Sequence, residues 1–300
     1  MVGTSPDLAV EKVQISKLRI VAAIPCYNTQ KYIADVVSRT RKYVDEVIVV
    51  DDGSEDMTAL EAGRAGATVI RHSINRGKGA AMKTGVENAG ADIIVFLDGD
   101  GQHDPDEIPE LISPLLQGRA DFVIGSRYLS ESRKLSAPII RRTANLFAAL
   151  IISLIISIGQ PLARFVFRLP QPRNLLANPF FAEVMGYRKD RLPPGSRILD
   201  GSFKRISDCT SGFTAMKKTC WNHLHLISNG FQIETEIIFE QAWNGFIIGE
   251  VPISCKWGEN TTRVSIIADG LKTLWLLIKK LLSCSRRKSK PFISVYKPAP

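Results

Sequence analysis

The chain has 300 residues, of which 45% are apolar and 23% charged, with a mean hydropathy of +0.02. That balance excludes a disordered tail and a polytopic membrane protein, and the length suffices for one large α/β domain or two smaller ones. Five scattered cysteines without a CxxC pair or clustered histidines argue against a zinc site and a disulfide scaffold, and the formal charge of +9 points to an anionic partner.

The first residues, MVGTSPDLAVEK, lack the apolar run of a signal peptide, so a cytosolic address is expected. Leu18–Ile24 is a short continuous apolar run ending at Pro25, the pattern of a buried parallel strand. Helical spacing follows from Tyr32 to Tyr43, and Glu46–Val50 reads as a second strand. Asp51-Asp52-Gly53-Ser54 is a turn-and-cap sequence that can start a helix. A third strand around Ala67–Ile70 leads into Asn75-Arg76-Gly77-Lys78-Gly79 and a helix to about Ala89. Asp92–Leu97 is a fourth strand, running into Asp98-Gly99-Asp100, and Asp121–Gly125 is a fifth. Strands alternating with helices predict a mostly parallel α/β sheet, in which ligands lie beyond the carboxyl ends of the strands. Every polar motif just named falls at such an end.

Two nucleotide motifs fail on spacing. Gly77-Lys78-Gly79 lacks the GxxxxGK[ST] pattern of a P-loop, and no GxGxxG follows the first strand. Asp98 and Asp100, by contrast, sit two apart after an apolar strand, with Gln102, His103 and Asp104 close behind. An acidic pair of this kind can be a solvated turn. At a strand end, however, convergent hard oxygen ligands suit Mg²⁺ or Mn²⁺ bridging to substrate phosphates.

Four runs carry a resemblance: Ile24-Pro25-Cys26-Tyr27-Asn28, Val49-Val50-Asp51-Asp52-Gly53-Ser54, Asn75-Arg76-Gly77-Lys78-Gly79-Ala80 and Asp98-Gly99-Asp100-Gly101-Gln102. Together they resemble a family-2 glycosyltransferase with the GT-A fold. Gly125-Ser126-Arg127-Tyr128, Asp208-Cys209-Thr210-Ser211-Gly212-Phe213 and Gly230-Phe231-Gln232-Ile233-Glu234-Thr235-Glu236 are similar to the polyprenyl-phosphate branch of that family. The resemblance implies that Pro25, Tyr27, Asn28, Asp52, Lys78 and Asp98 hold the nucleotide-sugar, UDP- or GDP-linked. It implies that Asp98, Asp100 and Gln102 hold Mg²⁺ or Mn²⁺, with Asp100 and Arg127 catalytic. Arg127, Arg141 and Arg142, with Lys256 and Arg263, would receive the phosphate of a polyprenyl acceptor; guanidinium forks suit phosphate oxygens.

The reaction implied is inverting transfer of one sugar to a polyprenyl, or dolichyl, phosphate. A phosphate monoester has a second pKa of about 6 and needs no base at neutral pH, whereas a hydroxyl acceptor would need one. Glu234 or Glu236 could serve, which keeps a hydroxyl acceptor as the alternative; the plainer reading of both is a helix N-terminal turn. A sugar-1-phosphate nucleotidylyltransferase is a second alternative, although Pro25-Cys26-Tyr27-Asn28 is not its Gly-rich loop. A peripheral membrane protein without activity is a third, opposed by the intact Asp98, Asp100 and Gln102.

The charge is uneven. Residues 1–126 carry 13 basic and 19 acidic side chains, whereas residues 127–205 carry 14 and 4, and residues 256–300 carry 10 and 2. An acidic front with a basic middle and tail fits a metal site in one part and an anionic lipid surface in the other, although two solvated faces would look the same. Thr143–Ile158 is apolar nearly all round but short for a span. Leu271, Leu274, Trp275, Ile278, Leu281 and Leu282 make one apolar stripe, with Lys272, Lys279 and Lys280 expected opposite and Arg286, Arg287, Lys288 and Lys290 following. Such a helix reads as an in-plane anchor on anionic lipid, or as a helix docked on the core. The expected organisation is an extension at 1–17, a catalytic domain at 18–255 with a proline- and arginine-rich insertion at 159–203, and an acceptor-side loop, helix and basic tail at 256–300. The expected partners are nucleotide-sugar, polyprenyl phosphate, the cytoplasmic face of a membrane and, in an oligomer, further copies of the chain; nucleic acid is not among them.

Overall fold

A computed structural model describes residues 18–129, 145, 197–199, 206–256 and 266–284. Their framework is one eight-stranded sheet: β1 (Ile20–Cys26), β2 (Glu46–Asp51), β3 (Thr68–Arg71), β4 (Ile93–Phe96), β5 (Phe122–Ser126), β6 (Arg197–Leu199), β7 (Thr214–Lys217) and β8 (Ile248–Pro252). The spatial order is β3-β2-β1-β4-β7-β5-β8-β6. β7 runs antiparallel between β4 and β5, and β6 antiparallel on β8; the other pairings are parallel.

The near-continuous apolar strands follow from helices on both faces. On one face, Ala22, Ile24, Val47, Val49 and Val95 pack with Ile33, Val36 and Val37 of α1 (Ile33–Thr40) and Leu111 and Leu115 of α4 (Ile108–Leu116). Between these helices in the chain lie α2 (Thr58–Arg64) and α3 (Lys78–Asn88). The opposite side chains of the strands, Ala23, Ile94 and Phe96, meet Met82 and Val86 of α3. They also meet Ile233, Ile237 and Phe239 of a later helix. A short α5 (Lys218–Trp221) precedes that helix, α6 (Ile233–Trp243), and α7 (Ile266–Cys284) closes the described chain.

Strand β1 continues one residue beyond the proline expected to end it, with Pro25 in register with Val50. Pairing of β1 with β4 stops at Ala23, so the N–H that Pro25 lacks has no ladder acceptor to miss. The Asp51–Ser54 turn does not itself open a helix: Asp51 accepts from Ser54 N–H at 3.0 Å, and α2 begins only at Thr58.

From β1 the chain winds outward through β2 to β3, then returns to place β4 on the other side of β1. That reversal opens a crevice beyond the carboxyl ends of β1 and β4, where open α/β sheets bind ligands. The Arg197–Leu199 strand, inside the expected 159–203 insertion, adds to the sheet edge. The rest of that insertion and most of Thr143–Ile158 lie outside the described residues.

Candidate active site

The motifs at the strand ends meet in the crevice. After β1, the Asn28 backbone N–H donates to Ser54 Oγ at 2.8 Å and its side-chain oxygen accepts from Glu55 N–H at 2.9 Å, stapling the β1 end to the β2 end. Asn28 holds a left-handed φ of 53°, which asparagine tolerates better than most residues. Pro25 and Tyr27 are half-buried beside it.

Asp52 is buried and largely engaged by the chain itself. It accepts from Arg76 N–H at 2.9 Å and Gly77 N–H at 2.7 Å, and its Oδ1 lies 2.6 Å from His72 Nδ1. It thereby fixes the loop that delivers Lys78. Gly77 turns into α3 at φ 95°, with its α-carbon facing the Asn229 carbonyl.

Lys78 reaches the centre. Its ammonium lies 2.6 Å from Asp98 Oδ1 and 2.5 Å from Glu234 Oε1, with the Phe231 ring 5.8 Å away. Burial penalises all three charges, but the two carboxylates more than offset this for Lys78 and raise its pKa. At Asp98 burial is the largest single influence and acts upward, but Lys78, with His103 and Arg127, together lower its pKa. Glu234 is dominated by burial and is raised. Asp100 has no such partner: burial first, then the Asp98 charge, push it up to about 6. Its Oδ1 accepts from Gln102 N–H at 3.0 Å, while the Gln102 carbonyl accepts from Lys256 N–H at 2.8 Å. Lys256 therefore does stand at this rim, with its side chain exposed.

Among the described residues, no three His, Cys, Asp or Glu side chains converge as a metal cage. The donors present are two carboxylates and the Gln102 carboxamide, all hard oxygens of the kind Mg²⁺ and Mn²⁺ take alongside substrate oxygens. Burial and the Asp98 charge both disfavour the charged form of Asp100, and a divalent cation would relieve both penalties. The donor set fits such an ion. Asp104, two residues beyond Gln102, is instead paired with Arg39.

Arg127 leaves the end of β5 and forks onto Asp208, with Nε to Oδ2 at 2.7 Å and Nη2 to Oδ1 at 2.9 Å; Nη2 also donates to the Thr210 carbonyl at 2.8 Å. Burial alone would lower its pKa, and Asp208 raises it overall. The expectation that the Arg127 fork serves an acceptor phosphate is thus refined: two of its nitrogens already hold a resident carboxylate. Asp208 stands in one of the sequence motifs, but nothing in the sequence pairs it with Arg127. Arg141, Arg142 and Arg263 lie outside the described residues.

The two glutamates of α6 separate. Glu234 enters the site. Glu236 is buried away from it, accepting from Ile227 and Ser228 N–H at 2.8 Å each and pairing with Lys280 Nζ at 2.7 Å. The reading of Glu236 as a base is corrected: its lone pairs serve the fold. Lys280 is corrected likewise, from the polar face of an amphipathic helix to a buried cation between Glu236 and Glu240, 2.7 Å from each.

Residues 21–168 match the model of glycosyl transferase family 2. The UDP-N-acetylglucosamine–dolichyl-phosphate N-acetylglucosaminyltransferase of Methanococcus voltae is 34% identical over 148 residues, 42% of this chain and 59% of its own length. The dolichol-phosphate mannosyltransferase of Pyrococcus furiosus is 26% identical over 273 residues, 87% of this chain and 64% of its own. Shigella flexneri protein RfbJ is 40% identical over 111 residues, 36% of this chain and 84% of its own. The chain thus spans about three-fifths of the length of the first two. Among solved structures, M. tuberculosis glucosyl-3-phosphoglycerate synthase superposes with a TM-score of 0.54 over 91% of this chain and 82% of its own, at 20% identity, a likeness of fold. With the strand order, the crevice and the motif positions, the match over residues 21–168 identifies a glycosyl transferase family 2 domain in the chain.

Proposed function

We propose that the chain transfers a single sugar, with inversion, from a nucleotide-sugar to a polyprenyl phosphate in a divalent-metal-dependent reaction. The observation that carries this reading is the Asp98–Lys78–Glu234 ion cluster beside Asp100, set at the switch crevice of the sheet. The names of the M. voltae and P. furiosus relatives support a dolichyl-phosphate acceptor. A fold neighbour crystallised with Mn²⁺ and UDP-glucose supports the donor class and the ion.

In this reading Tyr27, Asn28 and the Asp52-anchored loop border the nucleoside end of the donor. Asp98, Asp100 and Gln102 would hold the divalent ion, which when bound stabilises negative charge developing on a departing diphosphate. Lys78 holds Asp98 charged and places a cation beside the same oxygens. Arg127, oriented by Asp208, lines the acceptor side with Lys256. A phosphate acceptor, already ionised near neutrality, asks for no base.

A second reading keeps the donor side and replaces the acceptor by a hydroxyl. It is favoured by Glu234 alone, which burial raises and which points into the site. An assay pairing labelled UDP- and GDP-sugars with dolichyl phosphate, with and without EDTA, tests the first reading. Product formed only with hydroxyl acceptors, and lost in Glu234→Gln, would replace it with the second.

The place of work proposed is the cytoplasmic face of a membrane, held peripherally. No helix among the described residues is long and apolar enough to cross a bilayer. Helix α7, however, exposes Leu271, Leu274, Trp275 and Ile278 at i, i+3, i+4 and i+7, beside the exposed Lys272 and Lys279. An apolar face edged by cations is complementary to anionic lipid, and a lipid-borne acceptor makes that contact useful. Four free, buried cysteines, Cys26, Cys209, Cys220 and Cys255, suit a reducing compartment.

A further inference from the structure

The face of α7 opposite its exposed stripe is built around a charge. Leu276 and Leu277 are buried against the body of the protein, and between them and the helix end Lys280 is almost wholly enclosed. Its ammonium meets Glu236 Oε1 and Glu240 Oε1 at 2.7 Å each and donates to the His225 carbonyl. An apolar side chain would have served docking as well, since buried ion pairs are weak stabilisers against hydrophobic substitutes. What the charge adds is a hold on Glu236.

Glu236 passes that hold on. Its two oxygens take the N–H groups of Ile227 and Ser228, fixing the loop that ends in Asn229. The Asn229 carbonyl accepts from Gly79 N–H at 2.6 Å and Ala80 N–H at 3.2 Å, and its side-chain oxygen accepts from Lys83 at 3.2 Å. These are first-turn amides of α3, which otherwise lack partners because no side chain caps that helix. The contact is close enough to need glycine: a Cβ on Gly79 would stand 2.7 Å from the Ser228 carbonyl oxygen. Lys78, between Gly77 and Gly79, is the residue that reaches Asp98 and Glu234. A continuous run of hydrogen bonds and ion pairs therefore links the helix that carries the exposed apolar face to the lysine at the centre of the site.

We propose that Lys280 is a positioning residue: seating α7 on the body orders the 227–229 loop, and that loop sets the start of α3 and the ammonium of Lys78. This deepens the glycosyl-transfer reading and rests on it for the rate it predicts. Three variants separate the effect from misfolding. Lys280→Met leaves two buried carboxylates without their cation and may be compared only if circular dichroism shows it folded. Lys280→Met with Glu240→Gln restores the pocket's original formal charge of −1 and leaves Glu236 in place. Leu277→Ala loosens the same helix without touching the carboxylates and is the control for docking alone.

Hydrogen exchange at the Gly79 and Ala80 amides should speed by about tenfold or more in the double variant, with the β-strand core unchanged and with less change in Leu277→Ala. Sugar transfer should show kcat lowered about tenfold or more with the acceptor KM unaltered, since a small misplacement of a catalytic cation costs rate more than binding. Unchanged exchange at Gly79 and Ala80 in the folded double variant overturns the proposal, as does an unchanged kcat. The exchange measurement needs no substrate. Faster exchange in a protein whose wild type transfers no sugar would support the linkage and sink the glycosyl-transfer reading instead.

Discussion

Arg127 and Asp208, 81 positions apart in the chain, form a two-pronged pair in which the carboxylate is fully buried and the guanidinium nearly so. The pair sits where β5 ends and is backed by a second layer: Ser126 Oγ lies 2.6 Å from Ser207 Oγ, and Ser207 N–H and Oγ donate to the buried Glu250 at 2.8 and 2.7 Å. Asn145 completes it, donating to the Ser207 carbonyl at 2.8 Å and accepting from Cys209 N–H at 3.1 Å. A charge at the end of β5, where the acceptor is proposed to lie, is thus positioned by carboxylates and a carboxamide, not by packing alone.

Removing one partner of such a pair leaves the other charge buried and uncompensated, at a cost of about 3–5 kcal/mol. Asp208→Ala should therefore lower urea-unfolding stability by that order. Arg127→Lys should lower activity more than stability, because a lysine keeps a charge but cannot make the fork. A stability loss within about 0.5 kcal/mol for Asp208→Ala would mean that solvent already satisfies Arg127.

The sequence made this part of the site half legible. Arg127 was marked by its motif, and Asp208 lay in another, but nothing local ties two residues across a 76-residue excursion from 130 to 205. The strand ends were legible because buried parallel strands are apolar throughout and stop at polar turns, so β1, β2, β4 and β5 came within a residue or two. β7 and β8 were not: four and five residues long, they alternate too briefly to stand out, and the antiparallel entry of β7 between β4 and β5 depends on distant chain. Glu234 and Glu236 were indistinguishable by type and spacing. Two positions on a helix turn by about 200°, and only the packing of α7 decides which one meets Lys78 and which meets Lys280.

Divalent ion binding should depend on Asp100. Asp100→Asn keeps the shape and the Gln102 contact while removing the charge, so folding should hold and Mn²⁺ binding by calorimetry should weaken sharply, with sugar transfer lost alongside. Equal transfer with EDTA present and absent in the wild type would remove the ion from the reaction altogether.

Gly212 offers a steric test of the same site from another element. A Cβ there would stand 2.7 Å from Asp98 Cγ, so alanine must displace that carboxylate. Gly212→Ala should weaken both the Lys78–Asp98 contact and Mn²⁺ binding, while Gly90→Ala, with nothing within 4 Å of its added carbon, should change neither. Unaltered Mn²⁺ affinity in Gly212→Ala would show that Asp98 does not contribute a ligand.

Membrane contact is best tested on the exposed face of α7 and not by deleting the helix. Truncation before Lys280 would strip the cation from Glu236 and Glu240 and disturb the body of the protein, so a lost contact could not be assigned to lipid. Leu271 and Trp275 avoid this, being 63% and 67% exposed and remote from the docked face. Each large apolar side chain contributes about 1.5–3 kcal/mol on full burial, and each basic residue near an anionic surface about 1 kcal/mol. Leu271→Ser with Trp275→Ser should therefore weaken sedimentation with anionic vesicles by more than about tenfold, while leaving thermal stability and transfer to a short, water-soluble lipid phosphate unchanged. Raising salt should weaken wild-type binding as well, since the cationic contribution is screened over about 10 Å at 0.1 M ionic strength. Vesicle binding that survives both the double substitution and high salt would place the contact on another surface and free α7 from the role.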